Sequence, residues 1–460
     1  MTALRHQILT VAQMRAAEAA LIDGGMSVDT LMQRAGQGAA DTVWRVAGPS
    51  RRVTVLTGPG NNGGDGWVLA EAIRRRGAQV VVVPAIEPKT EAARHARNLY
   101  HGAVAGAGAD GDVLVDCLFG TGLTRGLEAG DFALLTGLAA RHAIRIAIDV
   151  PSGINSDTGA ALTAGLPDYA VTIALGAWKP AHFLMPSAAR MGRLRLVDIG
   201  CGPMGGAGQV VVRPALAQPA ADAHKYRRGL LAVIAGAMPG AALLAAKAAQ
   251  GAGAGYIKIF SDGAVDAPPD VVVAAPEFDD TRLGAMLIGP GLGRDWVAYF
   301  LLTTVMGAGR PTVIDADALM MPMPKLARRD TPVIATPHEG ELAALERNFH
   351  LVAQGSKIDR VRALALTSNM VIVAKGPDTV IAAPDGRYAC TPRASTWLST
   401  AGAGDVLAGC IASRLATGVA AFDAACQGVW LHGEAARITP APFSAGDLAQ
   451  SVAQAYGACC

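Results

Sequence analysis

Seven glycine-bearing segments place acids, amides and hydroxyls where group-transfer chemistry needs them. The first is Gly58-Pro59-Gly60-Asn61-Asn62-Gly63-Gly64-Asp65-Gly66. It follows the β-branched run Arg52–Thr57 and opens into a helical stretch. Strand, glycine turn and helix N-terminus together make an anion site, because backbone N–H groups point outward and missing β-carbons allow close approach. Gly58, Gly60 and Gly63 also satisfy G-x-G-x-x-G, a spacing common to dinucleotide loops and to tight turns. Two Asn and one Asp add amide and carboxylate groups suited to hydroxyls and a small cation. A hydride-transfer domain would want an acid at the end of its second strand. The nearest, Glu87, lies beyond a proline from Val83, which disfavours redox chemistry.

Two further strand ends carry related groups. Val115-Asp116 runs into Cys117-Leu118-Phe119-Gly120-Thr121-Gly122-Leu123, and Ile148-Asp149 into Val150-Pro151-Ser152-Gly153. In a doubly wound sheet the carboxyl ends of strands converge on one crevice. Asn62, Asp116 and Ser152 could then share oxygen ligands for a hard cation, leaving Asp149 for acid/base work. Each acid taken singly also suits a helix or turn cap.

The second half has its own set. Gly289-Pro290-Gly291-Leu292-Gly293 follows an apolar strand; Thr336-Pro337-His338-Glu339-Gly340-Glu341 opens a helix; Lys375-Gly376-Pro377-Asp378-Thr379 turns out of a strand. Thr400-Ala401-Gly402-Ala403-Gly404-Asp405 leads into another helix with Asp405 in its first turn. There the helix dipole is expected to keep Asp405 ionised and to make an oxyanion or phosphate hole. A carboxylate beside a phosphoryl cradle can take a proton from a substrate hydroxyl during phosphoryl transfer. G-x-x-x-x-G-K-[ST] is absent, so this is no Walker site. His338 suits either a site-lining or a surface role. His224-Lys225 reads as a phosphate clamp or as a solvated basic hinge.

The elements that must position these groups alternate along the chain. In the first half, strands are expected at Arg52–Thr57, Val80–Val83, Val113–Asp116, Arg145–Val150, Tyr169–Ala174 and Leu194–Asp198. Helices are expected at Gly66–Arg76 and Glu91–Tyr100, with two more flanking Gly24-Gly25. The alternation resumes from Leu230–Ile234 to Val371–Lys375 and closes with helices near Gly404–Ala416, Ala421–Arg437 and Asp447–Ala455. Such alternation predicts parallel sheets covered on both faces by right-handed crossovers. Residues 199–223, rich in Gly, Pro and Ala, mark a boundary between two different α/β domains.

Composition agrees. The 460 residues are 51% apolar and 17% charged, and 40 Lys plus Arg against 38 Asp plus Glu give a net charge of +2. A balance this even argues against a disordered polyelectrolyte or a dedicated nucleic-acid binder. The 7 cysteines include no C-x-x-C pair, so neither a disulfide framework nor a zinc site is expected. Met1–Thr10 lacks an apolar core for a signal peptide, and Leu230–Ala246 is interrupted by Gly236, Pro239 and Gly240. A soluble, cytoplasmic protein with no membrane partner is the expectation.

Taken in order, the motifs resemble the bifunctional NAD(P)H-hydrate repair enzymes over nearly the whole chain. NNGGDG, DCLFGTGL and DVPSG resemble the epimerase half. HK-x-x-x-G, GPGLG, DADAL, TPHEGE, KGPDT and GAGDVLAG resemble the dehydratase half. The resemblance implies a Rossmann-like epimerase domain over 1–205, a linker over 206–222, and a ribokinase-like dehydratase domain over 223–460. It implies that Asn61, Asn62, Gly63, Gly64 and Asp65, with Gly120, Thr121, Gly122, Leu123, Thr124, Arg125 and Gly126, hold hydrated NAD(P)H, and that Asp149 contacts the reacting ring. Asn62, Asp116 and Ser152 would bind a potassium ion. In the second domain Ala241, Gly291, His338 and Asp405 would face the hydrate. Lys375, Gly376, Pro377, Asp378, Thr379 and Gly404 would hold ADP or ATP, with magnesium. A homo-oligomer is compatible with this reading. Where the family carries an Asn/Gly-Met stretch before its GTGD loop, this chain has Ser395-Thr396-Trp397-Leu398-Ser399. Two other readings stay open on the residues alone: a vitamin-precursor kinase, and a first domain that only senses a ligand or binds a protein.

Overall fold

The computed structural model describes residues 6–323 and 330–460. Met1–Arg5, part of the segment read for a signal peptide, lies outside the described residues. The chain divides into two compact units, Met1–Gln209 and Val210–Cys460.

The first unit is built on a seven-stranded sheet. Its strands are β1 (Arg52–Thr57), β2 (Gln79–Pro84), β3 (Ala103–Val104), β4 (Val113–Cys117), β5 (Ile144–Ile148), β6 (Val171–Leu175) and β7 (Arg193–Val197). They lie in the order β3-β2-β1-β4-β5-β6-β7, all parallel. The order reverses between β1 and β4, so a crevice opens where their carboxyl ends diverge. Both faces are apolar. Val53, Val55, Val113 and Val115 pack on one side with α1 (Val11–Asp23), α2 (Val28–Ala47), α3 (Asn61–Arg75) and α4 (Glu91–Asn98). Leu56 and Leu114 pack on the other with α5 (Ala129–Ala140). That two-residue alternation, apolar on both faces, is the mark of a parallel sheet buried between helices.

α3 begins at Asn61, five residues before the predicted start at Gly66. Glycine lowers helix propensity, so the motif reads as loop, yet close packing needs it helical. A β-carbon on Gly63 would lie 2.0 Å from Gly58 O, and one on Gly66 would lie 2.8 Å from Cys117 Cβ. Similarly β5 stops at Ile148, short of the predicted Val150, because Asp149 turns to φ 65°.

In the second unit β8 (Leu230–Ile234), β9 (Tyr256–Phe260), β10 (Val272–Ala274), β11 (Leu283–Ile288), β12 (Thr312–Ile314), β13 (Val333–Ala335) and β14 (Val371–Ala374) are parallel. β15 (Val380–Ala382) and β16 (Tyr388–Cys390) add an antiparallel edge. The order is β16-β15-β14-β13-β12-β11-β8-β9-β10. The helices are α6 (Pro239–Gly251), α7 (Trp296–Gly307), α8 (Glu339–Asn348), α9 (Lys357–Ser368), α10 (Ala403–Ala416), α11 (Ala421–Ile438) and α12 (Ala445–Gly457). No described helix is long and apolar enough to cross a membrane.

The stretch expected as a linker, 206–222, is anchored at two points. Val211 N–H bonds Cys390 O at 2.9 Å, Leu216 N–H bonds Cys459 O at 3.0 Å, and both side chains enter the second unit's core. The run Val210-Val211-Val212, and Leu216 among Gly, Pro and Ala, supply apolar surface that fixes the backbone.

Candidate functional site

In the first unit Asp116 ends β4 and is fully buried. Its Oδ1 accepts from Ser152 Oγ at 2.7 Å and Leu118 N at 3.1 Å; Oδ2 accepts from Ser152 N at 3.1 Å and from Tyr169 O–H. Burial pushes this carboxyl above its ordinary range, and the bonds from Tyr169 and Ser152 offset part of that rise. No cationic side chain pairs with it among the described residues. Ser152 Oγ in turn accepts from Phe119 N at 2.9 Å, which fixes the approach to the Gly120–Gly126 loop.

Asn62 reaches the same wall. A β-carbon on Gly120 would lie 3.2 Å from the Asn62 carboxamide carbon and 3.3 Å from Asp149 Oδ2. Both polar atoms of the Asn62 amide are buried without a hydrogen-bond partner. A native protein rarely leaves such atoms unmatched; a cation would match Oδ1, and an acceptor oxygen of a polar ligand would match Nδ2. The expected potassium set therefore fits this place: a buried carboxylate lacking a cation, a hydroxyl 2.7 Å from it, and an orphan amide oxygen nearby.

Asp149 is joined by groups that motif reading missed. Lys179 Nζ donates to Asp149 Oδ1, and His182 Nε2 lies 2.8 Å from Asp149 O. Asp65 of α3 and Glu18 of α1 belong to the same charge cluster. Burial raises both carboxyls, and the charge of Asp149 raises them further. A signal did exist: Lys179 is the one charged residue between Asp168 and Arg190 apart from His182. Gly122 and Thr124–Gly126 form an exposed rim.

In the second unit Asp405 sits in the first turn of α10, behind a left-handed Gly402 at φ 88°. The helix dipole is expected to keep this Asp ionised; its surroundings pull the other way. Burial, reinforced by Asp315 and opposed by Lys375, lifts Asp405 to about 6. Asp317 and Glu341 add to the rise. Lys375 Nζ is 2.6 Å from Asp315 Oδ1 and 3.7 Å from Glu341 Oε2. Burial alone would lower this lysine, but those two carboxylates hold it above its ordinary value. Asp315 and Glu341 belong to the DADAL and TPHEGE motifs, where spacing assigned them no role.

A cavity of about 1090 Å³ opens beside them. Lys375, Gly376, Pro377, Thr379 and Gly404 line it, as do Ser395, Thr396, Leu398 and Ser399 of the divergent segment. Asp378 is the exception in the nucleotide set: it turns to Lys357 Nζ at 2.7 Å and does not line the cavity. Gly291 at φ 61° abuts α6, where a β-carbon would meet Met238 O at 2.3 Å and Ala241 Cβ at 3.0 Å. Asp317 links that loop to the acids by accepting from Gly293 N at 3.0 Å. His338 caps α8 through Nδ1, 3.2 Å from Glu341 N, and stays exposed. His224-Lys225 precedes the amino end of β8, away from the carboxyl ends that build the site. Lys225 Nζ stacks 4.5 Å from the Tyr256 ring centroid, which favours the hinge.

Both halves match known families. Residues 231–456 match the family described as NAD(P)H-hydrate dehydratase, and residues 28–181 the family of the YjeF-related protein N-terminus. A bifunctional NAD(P)H-hydrate repair enzyme Nnr of Salinibacter ruber is 34% identical over 513 residues, covering 94% of this chain and 92% of that protein. The chain belongs to the bifunctional NAD(P)H-hydrate repair enzymes. The Nnr repair enzyme of Mycobacterium leprae is 31% identical and covers 98% of each chain. A solved ADP/ATP-dependent NAD(P)H-hydrate dehydratase from Bacillus subtilis, co-crystallised with ATP and Mg²⁺, is 28% identical over 53% of this chain and 95% of its own, with a TM-score of 0.45. Because the relatives span both units, this repair enzyme carries an epimerase and a dehydratase domain. The reading as a kinase fused to a sensing module is set aside.

Proposed function

We propose that the first unit interconverts the R and S hydrates of NAD(P)H, and that the second dehydrates the S form to NAD(P)H at the expense of ADP or ATP. The observation that carries this is Asp405: a carboxylate lifted to about 6 at a helix N-terminus, beside the nucleotide-sized cavity that Lys375 and Gly404 line.

The hydrated ring bears a hydroxyl on the carbon next to its nitrogen, and hydroxide leaves poorly. Asp405 takes the hydroxyl proton as that oxygen attacks the terminal phosphorus of the nucleotide. Lys375 and the first N–H groups of α10 balance the charge that develops on the phosphoryl oxygens. The bond from the terminal phosphorus to the rest of the nucleotide breaks as the new one forms. The ring nitrogen's electron pair then expels phosphate to give an iminium, and loss of a proton from the neighbouring ring carbon restores the dihydropyridine. A base near pH 6 is ionised at neutral pH yet still basic enough to accept the proton.

Magnesium, when bound, supplies charge neutralisation on the polyphosphate. The described residues hold no group of three or more His, Cys, Asp or Glu arranged for a metal. Magnesium commonly relies on phosphates and one or two carboxylates, a part that Glu341 would suit. In the first unit Asn62, Asp116 and Ser152 would hold potassium, which supplies a fixed positive charge for oxygen groups of the dinucleotide. Asp149 would address the ring.

The test uses separated epimers. With ADP or ATP, the S hydrate should regain dihydronicotinamide absorbance, and the R hydrate only through prior epimerisation. Asp149→Ala should block the R hydrate while sparing the S hydrate. Failure of the pure S hydrate in that variant would contradict two independent sites.

A further inference from the structure

An ammonium taken fully out of water costs several kcal/mol unless it is paired. Lys179 is 1% exposed. Its Nζ donates to Leu175 O at 2.7 Å and to Oδ1 of Asp149. Leu175 N also approaches that oxygen, at 3.3 Å. Asp149 Oδ2 is the oxygen that faces the Gly120 and Asn62 wall.

Lys179 holds Asp149 a second time, through its backbone. Its N–H donates to His182 Nδ1 at 2.8 Å, which puts the ring's hydrogen on Nε2, and Nε2 donates to Asp149 O at 2.8 Å. Burial keeps this histidine neutral, at about 4. With Asp149 N–H on Ile173 O at 2.7 Å, these contacts over-determine a left-handed, non-glycine backbone at φ 65°. Strain maintained this way gathers at working sites. Glu18 and Asp65 stand in the field of the same ammonium, which lowers both, so one cation serves two buried carboxyls and a half-buried one.

We propose that Lys179 is the positioning residue of the epimerase site: it clamps Asp149 at Oδ1 and, through His182, at the carbonyl, so that Oδ2 alone meets the substrate hydroxyl. The proposal rests on the role given above to Asp149. The step it serves is balanced. The hydroxyl O–H breaks and its proton goes to Oδ2. The ring C–N bond breaks, its pair passing to nitrogen and the conjugated carboxamide, and leaves an aldehyde. The aldehyde rotates, the C–N bond reforms on its other face, and Oδ2 returns the proton to the alkoxide.

The experiment follows R-to-S conversion by NMR in the full-length protein with Lys179→Met, Asp149→Asn and the double variant. Lys179→Met should lower kcat about 10²-fold, the scale of a misplaced catalytic group, with KM changed less than about threefold. Because Lys179 acts through Asp149, the double variant should be no slower than Asp149→Asn alone. A kcat equal to the parent's in Lys179→Met, or additive losses in the double variant, overturns the proposal. A normal rate in Asp149→Asn overturns the underlying reading of that residue instead. If Lys179→Met does not fold, Lys179→Arg replaces it: charge kept and geometry moved should lower kcat at constant KM, and unchanged kcat overturns the clamp.

Discussion

The ammonium of Lys375 lies 2.6 Å from Oδ1 of Asp315, and Thr336 Oγ1 donates to the same oxygen at 2.7 Å. Asp315 is buried at the end of β12 and Lys375 follows β14, so two non-adjacent strand ends are tied beneath the cavity. The pair holds a positive charge where a polyphosphate would lie, and leaves Asp405 without a direct salt bridge among the described residues.

Asp405→Asn should therefore cost dehydration about 10²–10⁴-fold, the scale of a lost general base. Epimerisation by the other unit should persist. Absorbance recovery from the pure S hydrate measures the first, NMR of the epimers the second. Parent-like dehydration in this variant would remove Asp405 from the mechanism.

The acidity of Asp405 also sets a pH profile. A base works only when unprotonated, and burial lifts this one to about 6. On the acid side kcat/KM for dehydration should fall about tenfold per pH unit below about 6 and level off above it. An unperturbed Asp would put that limb near about 3.9. A limb at the lower position would show that the carboxylate is solvated in the working enzyme.

Potassium should matter to the first unit alone. Replacing it with tetramethylammonium at equal ionic strength should slow R-to-S conversion and leave dehydration of the S hydrate unchanged. Asn62→Leu, which removes the orphan amide, should abolish the difference between the two salts. A salt response that survives in Asn62→Leu places the ion elsewhere.

Gly63→Ala tests the packing of α3. Its β-carbon would lie 2.0 Å from Gly58 O, a backbone atom that cannot step aside alone. The expected loss is about 1–3 kcal/mol, the usual cost of overpacking. Calorimetry should show the lower-melting change, with epimerisation lost and dehydration kept at low temperature. An unshifted melting profile would mean the turn yields freely.

Much of the scaffold was legible in the residues because it rests on local signals. Arg52–Thr57 and Leu230–Ile234 are β-branched or apolar runs bounded by glycine, and the structure has strands at those bounds. Gly402 to Asp405 starts a helix as read, within one residue. What escaped was set by tertiary contact. The helix over Asn61–Asp65 forms against its glycine content, because Gly58 and Cys117 leave no room for side chains. Lys179 and His182 carry no motif and matter only because β6 delivers them to Asp149. The rise at Asp405 escaped for the same reason: the helix dipole is local, whereas Asp315, Asp317 and Glu341 arrive from elsewhere in the chain. Asp378 shows the reverse case, a motif residue whose carboxylate also pairs with a lysine distant in the chain.

A β-carbon on Gly58 would fall 1.8 Å from Leu118 O, so the turn after β1 and the turn after β4 touch backbone to backbone. Those two turns thus move as one piece. Leu118 and Phe119 carry N–H donors to Asp116 and Ser152, so a ligand that pushes the Asn62 side outward should also shift those two side chains. If Asn62, Asp116 and Ser152 hold the ion as proposed, ion affinity and dinucleotide fit would be geared together, and bulkier hydrates should loosen the ion as they enter.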